Sequence, residues 1–310
     1  MKKIIVILVG CLALLLLRAN FINEQKNMVT TTTTSTTLKE EKPIAITLPR
    51  DKLVQGDTLV VKVDNFKAGQ KITGEFDQKK FDFIPTEDNE KLIGVIGIDV
   101  RKTPGDYPLK IFLNNEEIFN KKITVMKGDF YTTKFVLTPE LEKQGYTQSN
   151  IVQNIQTNDG VLIYQVVNKY TPESYFNKSF IYPLDSIIKV GDFGVTRKEG
   201  NITLRHLGVD LDAPQGTPIY AINDGVVKFA QDLITYGKTI IIDHGFGIYS
   251  LYLHLSEFKV AVGDKVLRGE VIGLTGSTGY SLAPHLHLSI KINGASIDPL
   301  KFIEFVNQGF

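Results

Sequence analysis

The sequence contains five histidines, His206, His244, His254, His285 and His287, and all of them fall in its last third. Three patterns around them could do chemistry. In His206-Leu-Gly-Val-Asp210 an imidazole precedes a carboxylate by four residues. In His285-Leu-His-Leu-Ser289 two imidazoles alternate with leucines, so on a strand both point to one face while Leu286 and Leu288 enter a core. His254 closes the apolar run Tyr252-Leu-His-Leu255. Two imidazoles and one carboxylate make three protein ligands for Zn²⁺ and leave a fourth position for water, and the remaining histidines are then free for proton transfer. Taken singly, each pattern has a bland explanation: a loop histidine, a turn acid, a solvated strand face, a satisfied core histidine. One site explains four histidines and the lack of histidine elsewhere. His244, in Asp243-His-Gly-Phe246, reads as a turn residue with no part in that site.

The elements that must position these residues are strands. Gly208, the β-branched Val209 and Pro214 argue against a helix around His206, and on an extended segment positions i and i+4 share a face, so His206 and Asp210 can project together. Gly225–Phe229, Thr239–Asp243, Ile248–His254 and Val271–Leu274 read as further strands, separated by turn signals at Asp224-Gly225, His244-Gly245 and Gly263-Asp264. Residues 183–310 are therefore a β domain of many short strands. Upstream, residues 43–127 show a second set, including Thr58–Val63, Phe81–Ile84, Leu92–Asp99, Tyr107–Phe112 and Ile123–Val125, with no helical period. That spacing indicates an antiparallel, Ig-like β-sandwich, and it carries no histidine. Residues 128–182 read as a helical connector. Thr138-Pro139-Glu140 starts one helix, Ser149 to Ile155 forms a second, and Val161–Val167 reads as strand.

The chain has 310 residues, with 35 Lys+Arg against 34 Asp+Glu. Such a balance gives no electrostatic footprint for nucleic acid. The single cysteine, Cys11, excludes a disulfide framework, a Cys-rich structural zinc site and a cysteine nucleophile in the folded body. Met1-Lys2-Lys3, followed by the apolar run Ile4–Leu17 and Arg18, is the pattern of a signal peptide or signal anchor over residues 1–18. Leu8-Val-Gly-Cys11 also has the form of a lipobox, but the apolar run continues past the cysteine. Residues 19–42 hold the tract Thr30–Thr37, a polar linker with nothing to pack. These features imply an exported protein of the cell envelope, associated with the membrane through its N-terminal segment.

Residues 193–300 resemble the lysostaphin/LytM-type zinc metallopeptidases, murein endopeptidases of bacteria. The resemblance rests on His206-Leu-Gly-Val-Asp210, Asp212-Ala-Pro-Gln-Gly-Thr-Pro-Ile-Tyr-Ala221, Asp224-Gly-Val-Val227, Ile242-Asp-His-Gly245, Tyr252-Leu-His-Leu-Ser256, Val262–Gly273, Gly276-Ser-Thr-Gly279 and Pro284-His-Leu-His287, in order and with the family's spacing. It implies one Zn²⁺ per chain held by His206, Asp210 and His287, with His254 and His285 as the catalytic pair beside it. It implies a mainly antiparallel β fold with the site in a groove between loops, and peptidoglycan peptide cross-links as the substrate. Many members carry glycine where this chain has Ala283 and an acid where it has Ser289, which bears on groove shape and substrate preference. The alternative function is an inactive relative that binds peptidoglycan or activates another wall hydrolase; such relatives typically lose one of the five positions. A biotinyl-type carrier, suggested by Gly263–Gly269, leaves the histidines unexplained.

Overall fold

The computed structural model describes residues 42–86, 88–176 and 178–307. The N-terminal apolar run, Cys11 and the Thr tract lie outside the described residues. No helix among the described residues is long and apolar enough to cross a membrane. From Pro43 onward the described residues form one compact, mainly β unit.

Its first eight strands are β1 (Ala45–Thr47), β2 (Lys52–Val54), β3 (Thr58–Asp64), β4 (Ile72–Phe76), β5 (Lys79–Pro85), β6 (Lys91–Gly97), β7 (Gly105–Leu113) and β8 (Glu116–Met126). They pair in the order β1-β3-β6-β5-β4-β7-β8-β2. Strand β2 ends this order and β3 lies near the other end, yet only Gln55, Gly56 and Asp57 separate them in the chain. The sheet must therefore curl on itself. Leu59, Val61 and Val63 of β3 meet Leu109, Ile111, Ile123 and Val125 of β7 and β8 in its interior. The apolar run Leu59-Val-Val61 is continuous because the other face of β3 is buried too: Val60, with Ile84, Ile93 and Val95, joins the core of the C-terminal half.

After β9 (Thr132–Lys134) come three helices, α1 (Pro139–Lys143), α2 (Gln148–Thr157) and α3 (Asp159–Val167). Thr138 caps α1, as its sequence indicates, whereas α2 starts from a capping box of Thr147 with Asn150 that the reading from Ser149 onward did not include. The expected strand at Val161–Val167 is helix α3 instead. Ile163 and Val167 pack together with Val166 on Phe229, Leu233, Tyr249 and Leu251, and residues at i, i+3 and i+4 share one face on a helix but not on a strand. Burial of that pair overrides the β preference of the branched residues around it.

The remaining strands are β10 (Lys189–Gly191), β11 (Thr196–Glu199), β12 (Ile202–Arg205), β13 (Val209–Asp212), β14 (Pro218–Tyr220), β15 (Gly225–Leu233), β16 (Gly237–Gly245), β17 (Ile248–Leu255), β18 (Glu257–Phe258), β19 (Lys265–Val266), β20 (Val271–Leu274), β21 (His285–Ile292) and β22 (Ala295–Ile297). The main sheet runs β10-β13-β21-β17-β16-β15-β19, with β22 also paired to β21. One face, carrying Leu286, Leu288, Ile290 and Ile292, is packed into the core with Val60 and Val95. Helix α3 covers part of the opposite face, and the rest of that face bears the histidines. A final helix, α4 (Pro299–Val306), was not anticipated, although Asp298-Pro299 is the same cap-then-proline signature as Thr138-Pro139.

Candidate metal centre and groove

Strand pairing brings the first three residues together. Asp210 on β13 stands opposite His287 on β21 in the antiparallel register. His206 is not on the same strand as Asp210: it precedes a bend at Gly208, and β13 begins only at Val209. That bend needs glycine, because a Cβ at position 208 would collide with the Leu288 carbonyl oxygen, His287 Nε2 and Ser289 Oγ. All three residues are buried, each below a tenth exposed.

The tautomers follow from the hydrogen bonds. His206 Nδ1–H donates to the Asp192 carbonyl at 2.7 Å, which leaves the lone pair on Nε2. The Ser289 hydroxyl donates to the Leu207 carbonyl at 2.9 Å, so its oxygen accepts from His287 Nε2–H at 3.0 Å and the lone pair of His287 sits on Nδ1. His206 Nε2 and His287 Nδ1 are 3.0 Å apart, and each is 2.8–3.0 Å from Asp210 Oδ1. Three acceptors thus face one another in a buried site. With the other ring nitrogens committed, these three donors could hold a metal ion. Burial opposes ionisation of Asp210, but its contacts with His206, His285 and His287 outweigh that and hold the carboxyl well below the usual range. Burial pushes His287 down to about 4, so it is neutral, as a ligand must be.

His254 reaches the site by a different device. Ile240 pairs with Tyr252, and the next pair is Lys238 with Leu255, so β17 holds one residue more than β16 at this point. The extra residue is absorbed by His254 at φ 66°. Regular alternation would send His254 to the core side with Tyr252; the bulge turns it to the face of Leu253, which lies opposite His287. Its Nδ1–H donates to the Thr278 carbonyl at 2.8 Å, leaving Nε2 free. Its ring centre is 5.0 Å from that of His285 and 6.0 Å from that of His287. Burial, then the two neighbouring histidines, push it down to about 3. His285 Nδ1–H donates to the Ala283 carbonyl at 2.8 Å, and its Nε2 lies 3.5 Å from Asp210 Oδ1. Burial opposes its charged form, but Asp210 outweighs this and raises it. All four histidines around Asp210 therefore have one nitrogen tied to backbone or Ser289 and the other turned inward.

His206, Asp210, His254, His285 and His287 line one groove of about 350 Å³. His244 stands apart, and it lies on a strand, not in a turn. It is fully buried on β16, with Nδ1–H donating to the Asp224 carbonyl (2.7 Å) and Nε2 accepting from the Ser250 hydroxyl (2.8 Å).

Residues 204–299 match the model of peptidase family M23. The chain carries a peptidase family M23 domain. Over 95 residues, 31% of this chain, it is 48% identical to a DD-carboxypeptidase/endopeptidase Mpg of Neisseria meningitidis, of which it covers 22%. Over 123 residues, 39% of this chain, it is 37% identical to the peptidoglycan DD-endopeptidase ShyA of Vibrio cholerae, of which it covers 29%. The chain thus spans less than a third of the length of these curated relatives. A crystal structure from Pseudomonas aeruginosa described as a peptidase M23 superposes with a TM-score of 0.57 at 26% identity, covering 81% of this chain and 94% of that one. That coverage exceeds the M23 domain and takes in upstream strands.

The M23 domain is held from outside by the connector. The Thr235 N–H donates to the buried Asp159 carboxylate of α3 at 2.6 Å, the Tyr280 N–H to the Thr235 carbonyl at 2.7 Å, and the His254 N–H to the Tyr236 carbonyl at 3.1 Å. Sequence reading missed these supports, as well as Asp192, Thr278 and Ser289. Backbone carbonyls carry no residue signature, and Ser289 registered only as a departure from the family pattern.

Proposed function

We propose that the chain is an exported zinc endopeptidase that hydrolyses peptide cross-links of peptidoglycan. The observation that carries this reading is the convergence of two imidazole lone pairs and a carboxylate oxygen, with two further histidines beside them, in one groove. Nitrogen and carboxylate donors suit Zn²⁺, and three protein ligands leave a position open for chemistry. The donor spacings of 2.8–3.0 Å are a little tighter than the edge of about 3.3 Å implied by tetrahedral bonds near 2.0–2.1 Å. A small outward shift of the rings accommodates the ion. His206 Nε2, Asp210 Oδ1 and His287 Nδ1 would hold it.

Zn²⁺ bound there supplies Lewis-acid polarisation of a peptide carbonyl and lowers the pKa of water. The chain's own groups do the rest. His254 Nε2 and His285 Nε2 are free to accept a proton from the attacking water and to return one to the leaving amine. A protonated His285 also offers a donor to the developing oxyanion. Thr278 and Ala283 fix the two rings through their carbonyls, so little reorientation is needed during turnover. Peptidoglycan as the substrate is supported by the activities in the names of the relatives, and export by Lys2-Lys3 followed by the apolar run.

The test is digestion of purified peptidoglycan by residues 43–310, with and without a chelator, followed by mass analysis of the fragments. Release of peptides cut at a cross-link, abolished by chelation and restored by zinc, is the expected result. Intact peptidoglycan with zinc-loaded protein refutes the reading.

A further inference from the structure

The face of β21 that carries His285, His287 and Ser289 continues to Lys291, which lines the same groove. Lys291 is only 8% exposed. Among the described residues its ammonium meets the neutral hydroxyl of Ser296, its cross-strand partner on β22, and no carboxylate within ion-pair distance. The nearby acid, Asp99, is already committed: both of its oxygens hold Arg101, at 2.8 and 2.9 Å, and Oδ2 also accepts the Ser296 N–H at 2.9 Å. Arg101 and Asp99 cancel, and one positive charge is left buried without a counter-ion. A desolvated ammonium is costly unless an anion compensates it. Burial lowers its pKa to about 8, so it stays largely protonated at neutral pH. Leu251 and Leu253 and the connector residues Ile155 and Ile163 line the same groove and give it apolar surface.

We propose that Lys291 forms a carboxylate-binding subsite at the far end of the groove, selecting peptides that carry an acidic group. At about 3.4 Å per residue, Lys291 lies roughly 14 Å along the strand from His287. An extended peptide beside β21 would then place its carboxylate about three to four residues from the bond held at the histidines. The proposal rests on the peptidase reading above and adds which end of the peptide is recognised and by what charge.

The test is a binding titration of the zinc-loaded chain at pH 7 with N-acetyl-tetra-alanine as the free acid and as its C-terminal amide. The acid should bind about tenfold or more tighter than the amide, and Lys291→Met should bring the ratio to about one. Lys291→Gln serves as a second neutral variant, with circular dichroism as the folding check. Equal binding of acid and amide by the unsubstituted chain overturns the proposal without recourse to any variant. An acid preference that survives in folded Lys291→Met or Lys291→Gln overturns it too, because the carboxylate is then held at the metal centre. If the Lys291-dependent preference is present but peptidoglycan is not digested, the subsite stands and the hydrolase reading falls.

Discussion

Replacing Ser289 with alanine isolates the contribution of a residue outside the candidate metal donors that fixes one of them. In the parent chain Ser289 Oγ accepts from His287 Nε2–H at 3.0 Å and thereby keeps the Nδ1 lone pair turned toward His206 and Asp210. In Ser289→Ala that buried N–H loses its acceptor. Without metal, the imidazole escapes by moving its proton to Nδ1, where Asp210 Oδ1 waits at 2.8 Å. With metal bound the escape is closed, since Nδ1 must then be a donor of electrons. The cost of an unsatisfied buried N–H, about 1–3 kcal/mol, therefore falls almost wholly on the metal-bound state. At about 1.4 kcal/mol per tenfold, this predicts zinc affinity weakened roughly 5- to 150-fold. Outer partners of metal-ligating histidines generally cost about 10- to 100-fold when removed, which agrees. The assay is competition for zinc against chelators of graded strength, with circular dichroism to confirm the fold. Ser289→Thr, which keeps the hydroxyl, should stay near the parent. A folded Ser289→Ala whose zinc affinity lies within twofold of the parent refutes the tautomer argument.

Three further outcomes are expected. His287→Ala should lose zinc and hydrolysis together, whereas His254→Ala should retain most of its zinc while hydrolysis falls about 10²-fold or more; loss of zinc from both, measured on the same preparations, would make His254 a ligand. Gly208→Ala drives a methyl group into the Leu288 carbonyl, His287 and Ser289, so it should destabilise the fold by about 1–3 kcal/mol in urea titrations and weaken zinc retention; parent-like values in both would show that the bend tolerates a side chain. His244 titrates near 4 in the fold because burial disfavours its charge. Unfolded chain takes up that proton below about 6.5, so stability is fully present above this pH and is lost as pH falls toward 4, by about 3 kcal/mol from this group. The stability difference between parent and His244→Asn should change accordingly between pH 7 and 4.5, and parallel curves would refute the assignment.

The candidate metal-ligating residues were legible because their chemistry is written in residue types. His285 and His287 alternate with leucines that are fully buried, and strand periodicity alone places the imidazoles together. What could not be read was how each residue arrives. His206 and Asp210 share the site through a bend at Gly208, not through strand alternation. His254 faces the groove through a bulge that reverses the alternation its own sequence suggests. Both depend on register between strands distant in sequence. The misread Val161–Val167 segment has the same origin, since the surface that makes it a helix is supplied by β15 and β17. His244 was misjudged because Gly245 beside it signals a turn, while the partners that bury it, Asp224 and Ser250, lie on either side in the chain.

The double burial of β3 has a consequence for how such a protein can change over generations. A strand whose Leu59 and Val61 belong to one core and whose Val60 belongs to another ties two packing problems to three consecutive positions. An upstream module attached by a free tether can be exchanged for another by recombination at the tether, and the recipient domain is indifferent. Here the breakpoint would fall through a core that includes Val60, Ile93 and Val95 on one side and Leu288, Ile290 and Ile292 on the other. A transplanted M23 domain would arrive with an apolar wound, and the donor's upstream sheet would keep its matching half. Inheritance of the two halves as one block, with compensating changes on both sides of the seam, is the pattern this architecture imposes.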